Sequence, residues 1–411
     1  MDNDFNLQRQ ETVETMRGKP SVHRQNMRPN SIRKIMVAAT QYDDVIPLQI
    51  GEPESDTAAH IVEAGQLAMA AGYTHYTSNA GLPSLREAIV ARMKRKYDIE
   101  IDPGRVVVTT GAVSALHAIL LALVDVGEEV LIPDPGYPNY EGMLFMQHAE
   151  PVYYATRAED GYVPDLQDIE SKITPATKAI IVNSPCNPTG AVYPRQVWQE
   201  LLALAERHDL FVISDEIYDE LVYDGEVCCP LEVRPDLAHR IVSVNGFSKG
   251  YAMTGWRLGY MIVPEELTEL VWKLLEPTTT CAAEFTQKAG EAALNGDQSH
   301  VEAERLRYKA KRDRACELLE QYGIPHSRPQ GAFYIMADIS ATGMTSEPFA
   351  FGLLHEEKVI VAPGEGFGPA GLHRVRICFA GSVELLEEGL HRLGRYYELL
   401  VRKASATTWL R

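Results

Sequence analysis

The chain has 411 residues, 45% of them hydrophobic and 23% charged, enough to bury a large core over more than one domain with nothing of low complexity. Its 39 Lys and Arg against 57 Asp and Glu leave a formal charge of −18, which argues against nucleic acid and anionic membranes as partners and admits small anions only in a local basic pocket. The six cysteines lack CxxC spacing, the acidic start Met1-Asp2-Asn3-Asp4 is unlike a signal peptide, and the most apolar run, 115–126, is too short for a membrane span, so a soluble cytoplasmic protein with reduced thiols is expected.

Residues 1 to about 45 are polar, with scattered Pro and Asn, and read as an arm that packs on something else. From Ser84 the spacing of Leu85, Ile89 and Met93 predicts a helix to about Tyr97. Strand-like and helix-like segments then alternate: strands at 106–109 and 129–132, helices at 113–123 and 137–146, and short β-branched or aromatic runs at 178–183, 211–215, 240–244 and 258–263. An amphipathic helix over 194–208 opens on a proline. The alternation implies βαβ units: an α/β protein with a mostly parallel sheet between helices. A long helical stretch covers 284–322, followed by strands at 331–338, 359–362 and 374–379 and helices at 348–356 and 383–399, the pattern of a smaller α/β domain. The expected division is an arm over 1–45, a large domain over 46–295 and a small domain over 296–411.

Three of these strands end in polar residues. The run at 178–182 leads into Asn183-Ser184-Pro185-Cys186-Asn187-Pro188-Thr189-Gly190, that at 211–214 into Asp215-Glu216-Ile217-Tyr218, and that at 240–244 into Asn245-Gly246-Phe247-Ser248-Lys249. Ligands of open parallel sheets bind outside the carboxyl ends of the strands. If the three strands are neighbours, an amide, a carboxylate, a phenol and an amine meet at one site. Taken singly, each has a plainer reading: a solvated surface lysine, a capping Asp, an Asn-Pro turn.

Together these segments resemble the class I/II aminotransferases of the large pyridoxal-phosphate fold. Ser248-Lys249 followed by Gly255-x-Arg257-x-Gly259 is similar to that family's lysine motif, and Asn187-Pro188-Thr189-Gly190 and Asp215-x-x-Tyr218 to two others. Asp134-Pro135-Gly136-Tyr137-Pro138, Gly51-Glu52-Pro53 and Val375-Arg376-Ile377 complete six ordered matches between about residues 48 and 380. The resemblance implies a seven-stranded type of sheet in the large domain. It also implies a transaminase that moves an amino group between an L-amino acid and a 2-oxo acid by a ping-pong mechanism.

On the same resemblance, Lys249 holds pyridoxal 5′-phosphate as a Schiff base and carries the proton, with Asp215 and Tyr218 as its catalytic partners. Asp215 keeps the ring nitrogen protonated, Asn187 and Tyr218 donate to the ring's phenolic oxygen, and Tyr137 stacks on the ring. The amides of Ala112 and Val113, the Ser248 hydroxyl and Arg257 receive the phosphate. Arg376, with Asn187 and the backbone of Gly51, takes the substrate carboxylate. Tyr76 resembles a tyrosine that reaches the partner subunit's cofactor phosphate, which implies a homodimer with shared active sites.

Two positions depart from the family. Gly246 stands where a serine is common, so one phosphate contact falls to Asn245 or to a water. Val113 stands where some relatives acting on aspartate carry a lysine, so dicarboxylic side chains are not expected to be recognised by that route and neutral or aromatic donors are expected. The same site residues also serve β-elimination, as in a cysteine-conjugate lyase, so that alternative stays open. A non-enzymatic regulator would need an added DNA-binding module, which the residues before the first motif do not offer. Gly364-Glu365-Gly366-Phe367-Gly368 runs into Pro369 and reads as a loop rather than a dinucleotide motif, none of the twelve His has zinc spacing, so no metal is expected, and Cys186 reads as a buried filler.

Overall fold

The computed structural model describes Ser21, His23, Met27 and residues 31–408, so most of the arm expected over 1–45 lies outside the described residues. Along the chain the strands are β1 (Ile46–Pro47), β2 (Val106–Thr109), β3 (Glu129–Asp134), β4 (Glu150–Ala155), β5 (Thr177–Asn183), β6 (Phe211–Asp215), β7 (Ile241–Gly246), β8 (Gly259–Ile262), β9 (Tyr334–Asp338), β10 (Val359–Ile360), β11 (Ala362–Pro363) and β12 (Arg374–Cys378). Seven of them form one sheet in the order β2-β8-β7-β6-β5-β3-β4.

The sheet is covered on both sides, which is why its strands read as unbroken apolar runs rather than as alternating ones. Successive residues point to opposite faces. Val106, Val108, Ile180, Val182 and Val212 pack into one core with Leu85, Ile89 and Met93 of the helix Pro83–Tyr97 and with Trp198 of Arg195–Arg207. Val107, Ala179, Ile181 and Ile213 face the other way, against Leu116 and Ile119 of Ala112–Leu123 and Met143 of Asn139–Gln147. Asp215 follows this alternation onto the second face.

β3 through β7 are parallel to one another, whereas β8 is antiparallel to both β7 and β2. No crossover helix lies between β7 and β8, so the chain returns the way it came. The connection 247–258 thereby brings Lys249 and Arg257 to the same end of the sheet.

A second core surrounds the antiparallel sheet β11-β12-β9. Ile35 of the helix Ser31–Ala39 and Ile46 of β1 are buried in it, and β1 pairs in parallel with β10. The strand expected over 359–362 is therefore split between two sheets. The helical stretch expected over 284–322 is two helices, Glu284–Asn295 and Ser299–Gln321. Gly296 leaves the helix with ψ −170°, and Asp297 then accepts from the Ser299 amide. The helices Ala59–Ala70 and Thr268–Thr278 and the strand β4 add to the expected set. Among the described residues, no helix is long and apolar enough to cross a membrane.

The sheet touches the start of Ala112–Leu123 at one point with no room to spare. A methyl group on Gly259 would lie 2.5 Å from the carbonyl carbon of Gly111 and 2.6 Å from the amide nitrogen of Ala112, both backbone atoms. Gly259→Ala is expected to cost about 1–3 kcal/mol of stability by overpacking. The check is a denaturant midpoint lowered at unchanged slope.

Candidate active site

β5, β6 and β7 are adjacent, and Asn183 of β5 sits directly across from Asp215 of β6. The side chains beyond their carboxyl ends enclose a cavity of about 300 Å³. Of the residues singled out in the sequence, Gly51, Ala112, Val113, Tyr137, Asn187, Asp215, Tyr218, Ser248, Lys249, Arg257 and Arg376 all line it. Tyr76 does not: it is 86% exposed, in the segment between Ala59–Ala70 and Pro83–Tyr97.

Asp215 is buried at the floor. Its Oδ2 accepts from the Tyr140 hydroxyl at 2.7 Å and its Oδ1 from the Ile217 amide at 3.3 Å. Burial outweighs these bonds and pushes its carboxyl up to about 6. Such a group gains most from a cationic N–H partner, which restores its ionised form. The Asn183 amide donates to the Asp215 carbonyl, while its oxygen accepts from the Asn187 amide at 2.7 Å. One asparagine thus ties the Asn-Pro loop to the end of β6.

The Lys249 Nζ donates to the Gly51 carbonyl at 2.6 Å. Burial lowers its pKa to about 8; Cys378 and Glu52 pull against it, and the charges of Arg376 and Arg257 push the same way as burial. A lysine held there is in part a free amine near neutral pH.

Arg376 is buried between the rings of Tyr334 and Phe367, 4.3 and 4.7 Å from its guanidinium carbon. It donates to the Asn187 side-chain oxygen at 3.0 Å and to the Gln49 carbonyl, and its Nε has no partner. Its recorded partners are thus neutral oxygens and no carboxylate, which fits a carboxylate arriving from outside.

At the opposite end, Arg257 adopts a left-handed backbone conformation, φ 53°, and lies against Gly111, φ 88°. A methyl group on Gly111 would come within 2.6 Å of the guanidinium. The first amides of Ala112–Leu123 have no carbonyl partner within the helix, so arginine and amides together form an anion cradle. Among the lining residues three are cationic and one is anionic, against the −18 of the chain.

Sequence reasoning missed Tyr140, Asn183 and Tyr334. Tyr140 stands one turn after Tyr137, a spacing that marks a shared helix face. The Tyr334 hydroxyl bonds that of Tyr218 at 2.9 Å, a contact across 116 residues that leaves no local signal. Gly246 is not among the lining residues; a methyl group there would stand 3.1 Å from the Leu258 carbonyl oxygen.

The donor set fits pyridoxal 5′-phosphate: an anion cradle for a phosphate, a buried carboxyl for a ring N–H, phenol and amide for a ring oxygen, and a desolvated amine for an aldehyde. Comparison with known proteins agrees. Residues 43–393 match the sequence model of the family aminotransferase class I and II. The chain is 40% identical over 368 residues to an aspartate aminotransferase of Pyrococcus abyssi, covering 89% of this chain and 95% of that one. The structure of Thermus thermophilus aspartate aminotransferase with maleate superposes with a TM-score of 0.88 at 37% identity, over 93% of this chain and 100% of that one. An aromatic aminotransferase from Pyrococcus horikoshii superposes with a TM-score of 0.85 at 38% identity, over 91% and 100%. The chain belongs to the class I and II aminotransferases, a family that uses pyridoxal phosphate, and is a transaminase.

Proposed function

We propose that this transaminase moves an amino group from an L-amino acid to a 2-oxo acid in two half-reactions on pyridoxal 5′-phosphate held at Lys249, the first product leaving before the acceptor binds. The observation that carries the proposal is Lys249 itself, an amine with a pKa lowered to about 8 between an anion cradle and a buried arginine that lacks a carboxylate.

The bound cofactor supplies the electron sink that makes the donor's Cα–H acidic. Lys249 Nζ would hold the cofactor through its aldehyde, with loss of water, and would then carry the proton between donor and cofactor carbons. Asp215 would hold the ring nitrogen's proton, and Tyr218 and Asn187 would donate to the ring oxygen. Tyr137 would cover the ring face. The amides of Ala112 and Val113, the Ser248 hydroxyl and Arg257 would receive the phosphate; Asn245 accepts from the Gly246 amide and is not among the lining residues, so the contact missing at Gly246 would fall to a water. Arg376 takes the α-carboxylate, with Asn187 and the Gly51 backbone orienting it. The arm, large domain (46–295) and small domain (296–411) form part of the same proposal, with Ile46 and Leu48 crossing onto the second core. All six cysteines are free, which supports a cytoplasmic protein.

Lys249, Arg257 and Arg376 are the cations lining the cavity, and each already has a task, while Val113 is apolar. No lining cation is left for a side-chain carboxylate, so neutral and aromatic donors are proposed, with glutamate or 2-oxoglutarate as second partner only through adaptable contacts other than a dedicated cation. Exposed Tyr76 lies in one stretch with the half-exposed Leu67, Met69 and Tyr73. That apolar surface supports a dimer in which Tyr76 completes the partner's phosphate site.

In the cofactor-free protein, labelling of Lys249 by a small amine-reactive electrophile is expected to rise with pH through a midpoint near 8, against roughly 10.4 for an ordinary lysine. Peptide mapping reads this out, and a midpoint at the ordinary value refutes the desolvated amine. An absorbance scan with cofactor should show a lysine-bound band lost in Lys249→Ala. Across Asp, Glu, Ala, Phe and Tyr, kcat/KM should favour Phe, Tyr or Ala, with the aminated cofactor formed by donor alone; a dominant preference for Asp contradicts the specificity. Tyr76→Ala should weaken cofactor binding, and a hybrid dimer with Lys249→Ala should restore wild-type affinity at its one Lys249 site. A hybrid that stays weak places Tyr76 in its own subunit's site and sinks the shared-site dimer.

A further inference from the structure

Behind the site, outside the cavity's lining, lies a cluster of buried charges. The turn after β6 sends the Tyr218 side chain forward into the cavity and those of Asp219 and Glu220 backward, onto the helix Pro83–Tyr97. There Arg92, only 5% exposed, donates through Nη2 to Asp219 Oδ2 and Glu220 Oε1, each at 2.5 Å. Its Nη1 donates to the Tyr260 hydroxyl of β8 at 3.1 Å. Lys96, one turn on, donates to the Asp219 carbonyl at 3.0 Å and pairs with Glu220 at 2.8 Å. The Tyr97 hydroxyl donates to Asp219 Oδ2 at 2.8 Å. Burial alone would raise the Asp219 carboxyl; Arg92 and Lys96 more than offset it and hold it at about 2.

The cluster also reaches the lysine. A methyl group on Gly250, the residue after Lys249, would stand 2.7 Å from the Glu220 Cγ. The Glu220 stem therefore packs on the backbone beside Lys249. One helix thus braces, from behind, both the turn that aims Tyr218 and the turn that aims Lys249. Two cations meet two carboxylates, so the brace is neutral as a unit, and its geometry is fixed by the planar fork of an arginine rather than by surface ion pairing.

We infer that Arg92, Lys96, Asp219 and Glu220 are positioning residues that set the reach of Tyr218 and Lys249 into the cavity, and so tune the protonation of the cofactor from a place no substrate touches. The inference rests on the reading of Lys249 and Tyr218 given above. It differs from a plain stability role in one respect. A brace that slips draws the Tyr218 hydroxyl away from the ring oxygen, and a hydrogen bond given to that oxygen competes with the neighbouring proton for its charge. The pH midpoint of the cofactor's absorbance should then move upward.

The test uses the loaded, full-length enzyme. Arg92→Met/Asp219→Asn removes one charge of each sign and so avoids stranding a buried charge. It should fold, as judged by circular dichroism, with its absorbance midpoint raised by about half a pH unit or more. Its affinity for pyridoxal 5′-phosphate should fall on the order of five- to tenfold, the effect of one weakened hydrogen bond. Lys96→Met, at the rim of the cluster, should move both quantities the same way by less, and it decides the matter if the double variant does not fold. A folded variant with a lowered Tm but the wild-type midpoint and affinity overturns the inference and leaves the cluster structural. Absence of the lysine-bound band from the wild type, or its persistence in Lys249→Ala, refutes the site assignment instead, and those two proteins alone decide that.

Discussion

Asp215 is a buried carboxyl group at the end of the central strand of a covered sheet, and much of the site is arranged around the consequences. Its bonds to Tyr140 and to the Ile217 amide do not offset its burial, so its proton affinity rises to about 6. In the function proposed above, a ring N–H arriving from the cavity would restore the ionised form. The neighbouring strands are constrained by the same residue. Asn183, opposite it in register, spends its amide on the Asp215 carbonyl and its oxygen on the Asn187 amide. Asn187 in turn accepts from Arg376 on the other sheet. One chain of hydrogen bonds therefore runs from the ring end of the cavity to the carboxylate end, and it is built of neutral amides, which carry orientation without adding charge.

How much of this is legible in the sequence follows from the range of each interaction. The strand ends and their polar residues are local signals, and Asn187, Asp215, Tyr218 and Lys249 are found at one cavity as those strand ends suggest, whereas Arg376, which lines it too, is singled out only through the family resemblance. The antiparallel sense of β8 has no local signal, because the 258–263 run would look the same in either direction; only the lack of a crossover helix in 247–258 hints at it. The break at Gly296 is written in the sequence but is masked by helix-favouring residues on both sides. Tyr334 and the Arg92 cluster are invisible for another reason. Each depends on partners more than 100 residues away, and a basic residue on the helix Pro83–Tyr97 looks like a solvated one until Asp219 and Glu220 are brought beneath it.

The glycines of the site make the same point at short range. Gly111, Gly250 and Gly259 are neither turns of convenience nor gaps. Each marks a place where something else must come close: the Arg257 guanidinium, the Glu220 stem, the start of the Ala112–Leu123 helix. Arg257 itself holds a left-handed backbone that most side chains avoid. Strain of that kind persists where surrounding contacts over-determine it, and here the Thr254 carbonyl accepts from the guanidinium at 2.7 Å while Trp256 next door is tied to Thr57 at 3.0 Å.

Charge ties these parts together. The chain as a whole repels anions, yet its cavity is lined by three cations and one carboxylate, in a low-dielectric surround where such charges are weakly screened. The excess is placed at the two ends, Arg257 and Arg376, with Lys249 between them. Burial sets the lowered proton affinity of Lys249; the two arginines add to it, against Cys378 and Glu52, which pull the other way. Anions bound at both ends neutralise that added push. An amine must be free of its proton to attack an aldehyde, and must afterwards be able to take a proton to act as a base. In the function proposed above the cofactor brings its phosphate with its aldehyde, so burial, the largest influence on Lys249, would keep the amine available for attack with that end already filled. A carboxylate arriving at Arg376 would then remove the remaining push and favour the protonated amine, so that charge at one end of the cavity would mark the passage from capture to proton transfer.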